Sequence, residues 1–479
     1  MLRLAIISFF TLAQCQWSLF DLDQNHWETV ERDVCVVGGG SSGTYAAVRL
    51  TDMNQTVAVV ERNDYLGGHA STYIDPATEA PVNLGVVIFQ PWQIVRDYYG
   101  RFDIPLLNLS AVESNTPGEP VNKSLPALLY ETVTQKMDFQ TGRKLPESPP
   151  TDMEGAFERF AIALEKYQFL LDGYNLPDPV PEDLYMPFGA FVEKYNLDGA
   201  VPLLFAYSQG MGDMLNIPAI YVIKYFNLQD VKNLKTGWLT PSRGSVGELF
   251  SKAGQYIGKD NIFLQSSIVA MNRTGQPQLL ISSNSGLTLL SCGKVLLTIP
   301  PTLQNLAGWD LTAAETSAFS EYISSNGYWT GLVKNIGLNE TMSYVNGAED
   351  KPYSLPVLPA LYGFSPVGVI PGVWQTLYGS SVPTLTDDQV KAAIVTEIHR
   401  IQSSEGVPLT EPEFLVFHSH TPFQLQVKPE AIKGGFYRDL SSLQGTVNTW
   451  YTGAAFHTHD SSFLWRFTED VVLPKLMAG

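Results

Sequence analysis

Val34-Cys35-Val36-Val37-Gly38-Gly39-Gly40-Ser41-Ser42-Gly43 is an apolar run entering Gly-x-Gly-x-x-Gly, and helix-like Thr44-Tyr45-Ala46-Ala47-Val48-Arg49-Leu50 follows it. A second apolar run, Val57-Ala58-Val59-Val60, ends in Glu61, 18 residues after Gly43. Strand, glycine turn, helix, strand and terminal acid in this order form the dinucleotide-binding βαβ unit. Gly38 is expected to make the tight turn, Gly40 to let backbone approach a pyrophosphate, and Gly43 to let helix pack close to strand. The pyrophosphate is expected at the helix N-terminus beside Ser42, where free N–H groups and the helix dipole favour negative charge. Glu61 is expected to accept hydrogen bonds from ribose hydroxyls.

The rest of the chain sets bounds on this reading. Its 479 residues, 44% hydrophobic and 16% charged, suffice for two or more core units. A net charge of −18 argues against nucleic acid or an anionic membrane surface as a partner. Met1-Leu2-Arg3, the apolar run Leu4 to Leu12 and Ala13-Gln14-Cys15 read as a signal peptide over 1–15, with Gln16 as the mature start. The run is too short to span a bilayer, and no later stretch is long enough. Sequons at Asn54, Asn108, Asn122, Asn272 and Asn339 fit a glycoprotein, secreted or held in a secretory or vacuolar lumen. Removal of Cys15 leaves Cys35 and Cys292, both in apolar strands, which read as two buried thiols in preference to a disulfide.

The fold class expected is α/β, a discontinuous Rossmann-like domain with an interleaved α+β substrate domain. The segments are nucleotide-binding at 31–90, a helical insertion at 91–240, nucleotide-binding again at 241–301, substrate domain at 302–424, and a final nucleotide-binding segment at 425–479. Pro117 to Pro150 reads as loop with short elements. Thr151-Asp152-Met153-Glu154 reads as a capping box, opening a helix through Phe157, Phe160, Leu164, Tyr167 and Leu171. Further on, Ile268-Val269-Ala270-Met271 and Lys294 to Ile299 are strand-like, as is Thr449-Trp450-Tyr451-Thr452-Gly453-Ala454-Ala455, a strand ending in glycine, with a terminal helix from about Ser461.

Leu66-Gly67-Gly68-His69-Ala70-Ser71-Thr72 after Glu61 resembles the second flavin-binding motif of the flavin amine oxidase superfamily. Asn83-Leu84-Gly85 resembles the Asp-x-Gly that follows there, and Arg243 to Glu248 the family's glycine loop. Tyr451-Thr452-Gly453-Ala454 is similar to its C-terminal flavin strand. Within the superfamily the chain looks most like fungal flavoproteins of the beta-cyclopiazonate dehydrogenase type. The resemblance implies non-covalent FAD, with Gly67, Gly68, His69, Ile268, Gly453 and Ala454 joining Gly38, Gly40, Ser42, Gly43 and Glu61 at the cofactor. It implies dehydrogenation of a small secondary metabolite, amine-containing or polycyclic, by hydride transfer to FAD, and reoxidation by oxygen or another acceptor. Alternatives are a redox-neutral isomerase and a flavin-binding protein without turnover. His69 replaces the arginine usual after the paired glycines, and Ala454 the usual glutamate, which argues against simple monoamine oxidation. No cysteine near the C-terminal strand supports a covalent flavin bond.

Candidates for the chemistry are His69, expected to face the flavin ring, and Trp450 and Tyr451, either of which is placed to wall a substrate pocket or pack in the core. Asp460 is read as a helix cap. His418-Ser419-His420 and His457-Thr458-His459 hold four of the seven histidines. No carboxylate or cysteine clusters with them in sequence, so no metal is expected.

Overall fold

The structure is a computed structural model that describes residues 28–111, 130–146, 151–324 and 326–479. The leader, Gln16 and the Asn122 sequon lie outside these residues.

Glu28–Val37 is the centre of a seven-stranded sheet. It pairs in parallel with Val57–Val60 on one side and Gly286–Leu297 on the other. Val57–Val60 continues in parallel to Ile262–Phe263. The first half of Gly286–Leu297 forms a hairpin with Gln278–Ser283, which pairs with Ser267–Asn272. Its second half receives Thr449–Tyr451 in parallel, so a strand from the far end of the chain lies one strand away from the glycine motif. Val34, Val36, Val59, Leu296 and their neighbours are buried on both faces, as strands covered by helices must be. Ser41–Asp52 supplies one cover; its Gly43, Ala46 and Ala47 are small enough to bring helix axis close to sheet.

A second seven-stranded sheet runs in the order Glu413–Ser419, Gly327–Lys334, Trp374–Ser380, Ala360–Pro366, Met342–Asn346, Val133–Asp138 and Arg143–Lys144. The helix Asp387–Glu405 lays Val390, Ile394, Ile398 and Ile401 against Trp329, Phe364 and Trp374 of this sheet. Thr386 and Gln389 cap its start reciprocally, and Gly406 ends it in the left-handed conformation. Helices from Met153–Leu164 to Leu228–Thr236 pack chiefly against the first unit's core.

The passage 117–150, read as loop with short elements, holds the short strand Val133–Asp138, paired in parallel with Met342–Asn346. Two local expectations are corrected. Thr151 is not the cap of the next helix: the chain enters it one residue later, and Asp152 accepts from the Gly155 amide at 3.1 Å and from Arg159 at 3.0 Å. That helix ends at Leu164 and continues as a 3₁₀ turn, Glu165–Leu170, in which the Tyr167 hydroxyl is anchored to Asp183 at 2.5 Å.

Cys35 and Cys292 are also corrected. They are joined in a disulfide, not left as thiols. Their strands are immediate neighbours in the first sheet, and the two Cα atoms lie 5.8 Å apart, within disulfide reach. The pairing spans 257 positions, so only the sheet register brings them together.

Candidate active site

One cavity of about 1200 Å³ runs from the glycine motif across to the second sheet. At the nucleotide end Gly38 has φ +104°, and a Cβ there would meet Thr298 Oγ1 and Ile299 Cγ2 at 2.6 Å. Gly43 does not line the cavity. A Cβ on it would strike the Gly38 carbonyl oxygen and come within 2.9 Å of Thr298 Oγ1, so its role is the close packing of helix on strand. Gly40 has open space around the position a Cβ would take, and it lines the cavity with Gly38, Ser42, Gly67 and Gly68. The paired glycines reach this place through a bridge between Gly40 and Gly67, whose amide donates to the Gly39 carbonyl at 2.8 Å. Glu61 is 6% exposed and lines the cavity; its carboxylate accepts the Gly39 amide at 2.7 Å and the Asn63 amide at 2.8 Å. Ile268, Gly453 and Ala454 complete this wall.

A cleft bare of side chains along Gly40 and Gly67-Gly68, with a buried acid at one end, fits a dinucleotide. Asn83 lines the cavity too, but its amide oxygen has a second task, accepting the Val246 amide at 3.0 Å beside the helix Gly247–Ile257.

Beyond the glycines the walls become aromatic and imidazole. His69 stacks on His420 with ring centres 4.2 Å apart and planes 8° from parallel. His459 lies 6.4 Å from His69 in nearly the same plane orientation and stacks on Phe423 at 4.3 Å. All four rings line the cavity. Burial first, then Arg62 and His418, pull His69 down to about 4; burial and His69 pull His459 down to about 3. Burial holds His420 well below its ordinary range, and its Nε2 has no hydrogen-bond partner. These imidazoles are neutral at neutral pH.

The two His-x-His pairs meet only through His420 and His459 at His69, and their other members face elsewhere. His418 meets the Ser71 hydroxyl at 3.0 Å, and His457 lies outside the cavity with its Nδ1 at 2.6 Å from the buried Lys224 Nζ. Among the described residues no group of three or more His, Cys, Asp or Glu is placed to hold a metal.

Trp450 and Tyr451 are core residues and do not line the cavity, which corrects their candidacy for the chemistry. Trp450 packs under the Lys294 ammonium. The Tyr451 hydroxyl bonds to Glu315, itself held by Arg273. The strand Thr449–Tyr451 is buried throughout, and the chain turns toward the cavity only at Gly453.

Sequence reasoning missed Asp230. Locally it belongs to a capping box, its Oδ2 accepting the Asn227 amide at 2.9 Å. Its Oδ1 accepts from Gln90 Nε2 at 2.7 Å and from Trp238 Nε1 at 3.4 Å, and the residue lines the cavity. The same Gln90 nitrogen donates to Asp460 Oδ2 at 3.0 Å. Asp460 does cap the terminal helix, accepting the Phe463 amide at 3.0 Å. Burial and the Asp460 charge push Asp230 up to about 7, and burial also raises Asp460. A capping signature hides this second role, which appears only once Gln90 and Asp460 are brought beside it.

The fold and cavity define a Rossmann-type dinucleotide-binding protein. The NAD(P)-binding Rossmann-like domain family matches residues 36–102. The chain is 40% identical over 470 residues to the FAD-dependent oxidoreductase oblC of Cochliobolus heterostrophus, covering 94% of this chain and 92% of that one. It is 35% identical over 451 residues to beta-cyclopiazonate dehydrogenase of Aspergillus oryzae, covering 93% of each. The chain therefore belongs to the family of FAD-dependent oxidoreductases that includes beta-cyclopiazonate dehydrogenase, and its cofactor is FAD. Among solved structures its fold is similar to a fatty acid isomerase from P. acnes, with a TM-score of 0.70, 18% identity and coverage of 92% of this chain and 98% of that one. A putrescine oxidase has a TM-score of 0.63 at 14% identity, covering 94% of this chain and all of that one. The fold is that of the flavin amine oxidases, as the paired-glycine motif implied.

Proposed function

We propose that this FAD-dependent oxidoreductase dehydrogenates a small, flat, aromatic or polycyclic metabolite, amine-containing substrates included, and that it works in the secretory pathway or outside the cell. The observation that carries the substrate reading is the composition of the cavity beyond the glycines. Tyr207, Tyr225, Trp238, Tyr328 and Phe423 offer ring faces and edges to a planar molecule. Among the described lining residues Arg62, at the Glu61 end, is the one lysine or arginine, so the aromatic end has no fixed positive charge to hold a carboxylate. FAD, when bound, supplies the two-electron acceptor. Residues of this chain shape the pocket, exclude water from its aromatic end and present neutral imidazoles at His69 and His459. The printed name of the beta-cyclopiazonate relative supports dehydrogenation as the reaction class. Oxygen or another acceptor reoxidises the flavin.

The secretory reading rests on the leader-like N-terminus, the Cys35–Cys292 disulfide and exposed sequon asparagines at Asn54 and Asn339. The test is anaerobic incubation of the purified protein with a panel of aromatic amines and indole compounds, following the flavin absorbance and the product mass. Bleaching with a product two hydrogens lighter supports dehydrogenation; turnover with unchanged mass identifies an isomerase instead. A panel of long-chain carboxylic acids that bleaches the flavin where no amine or indole does would contradict the substrate reading.

A further inference from the structure

Removing a hydride from a carbon next to N–H or O–H leaves a proton that some group must accept. The histidines that a sequence reading nominates are poor recipients, because the fold holds His69 and His459 neutral far below pH 7, and His420 Nε2 is buried. The cavity offers another group. Asp230, 6% exposed, and Asp460 both line it, and one Gln90 nitrogen bridges them at 2.7 and 3.0 Å. Every donor to these carboxylates is uncharged: Gln90, Trp238, the Ser462 hydroxyl and backbone amides. Among the described residues no lysine, arginine or histidine is ion-paired with either. The titratable groups facing them are the Tyr207 and Tyr225 phenols, raised by burial, with His459 next to Asp460 in the chain. Two adjacent carboxylates without a cation resist being ionised together, which makes the one that ionises last a base suited to neutral pH.

We propose that Asp230 takes the substrate's proton, and that Asp460, held to it through Gln90, sets how readily it does so. This rests on the dehydrogenase reading above. In the step, the substrate C–H bond breaks with its electron pair going to FAD, which is reduced. The neighbouring N–H or O–H bond breaks with its proton going to the Asp230 carboxylate, and its electron pair forms the new π bond. Asp230 becomes a neutral carboxyl group and later returns the proton to solvent. Asp460 and Gln90 are positioning residues.

The experiment uses the FAD-loaded protein and two readouts. Infrared titration follows the carbonyl stretch of protonated carboxyl groups. Glu397 is the control, since burial pushes it to about 7 as well and it lies away from the cavity. In the E397Q protein one carboxyl is expected to titrate near neutrality; it is absent from E397Q/D230N and shifted to lower pH in E397Q/D460N. A neutral-range carboxyl that persists in E397Q/D230N overturns the inference. The second readout is the anaerobic rate of flavin reduction by an amine that bleaches the wild-type protein, with tryptamine tried first. Wild type is expected to speed up as pH rises through about 7, and D230N to be slower by about a hundredfold or more at equal flavin content, with that limb gone. D230N at wild-type rate overturns the inference and leaves the dehydrogenase reading standing. A wild-type protein that binds no flavin fails the dehydrogenase reading itself.

Discussion

The Glu61 carboxylate accepts the Gly39 amide at 2.7 Å, so the acid that ends one strand holds the glycine turn that ends its neighbour. The two halves of the nucleotide motif are thus locked before any ligand arrives. One Glu61 oxygen stabilises the turn, the other takes the Asn63 amide at 2.8 Å, and the remaining lone pairs are free for a ribose.

The glycines of this motif separate by substitution. Gly43→Ala places a methyl group against the Gly38 carbonyl and Thr298, and overpacking of this kind costs about 1–3 kcal/mol or more. Gly40→Ala meets no protein atom within 4 Å, and its backbone at φ −68° suits alanine. The expected result is a lowered melting temperature for G43A, and for G40A a normal apo melting temperature with weakened FAD binding. Thermal melts and flavin content check both.

How much of this is legible in the sequence follows from distance along the chain. The βαβ unit is written within about 30 residues, so periodicity and glycine spacing revealed it. The residues Gly67, Gly68, Ile268, Gly453 and Ala454, which the resemblance implies at the cofactor, all line one cavity of the structure. What escaped depends on partners far apart in sequence. The Asp230–Gln90–Asp460 bridge joins three segments, the disulfide crosses 257 positions, and Val133–Asp138 finds its partner strand at Met342–Asn346. Trp450 and Tyr451 were ambiguous because an aromatic beside a flavin strand serves a core and a pocket equally well in sequence.

The disulfide predicts that denatured, unreduced protein shows no alkylation at Cys35 or Cys292. Replacing both cysteines by alanine is expected to cost about 2–5 kcal/mol in denaturant melts. Full labelling of either residue without reductant would remove the bond from the account.

Arg273 and Glu315 form an ion pair in which each side chain is 1% exposed, and the Tyr451 hydroxyl joins it. Glu315→Ala leaves the buried guanidinium with Asp310 as its remaining carboxylate partner, at 2.8 Å. Breaking one side of such a pair costs about 3–5 kcal/mol. E315A is expected to lose stability of that order in urea melts, whereas a surface pair such as Lys235–Glu154, both largely exposed, is expected to change little when broken.

The neutral histidines give stability a pH dependence of defined sign. His459 is pulled from 6.5 to about 3, so below about pH 6.5 the unfolded chain binds a proton that the folded chain refuses. Its contribution is intact above about 6.5 and is lost as pH falls toward 3. Asp230 acts oppositely: raised to about 7, it costs stability as pH rises from about 4 to 7. His459→Phe keeps a ring against Phe423 and removes the first effect. Relative to wild type, H459F is expected to gain about 2 kcal/mol on going from neutral pH to about pH 5. A difference that stays flat over that range would show that His459 takes up its proton as readily in the fold as in the unfolded chain.

The most direct measurement is the visible spectrum of the purified protein before and after acid precipitation, alongside G40A. A flavin occupying the cavity without a covalent bond predicts flavin bands in the native protein, their release into the acid supernatant as FAD, and depletion of those bands in G40A. Bands that stay with the pellet, or no flavin at all after reconstitution with FAD, would contradict it.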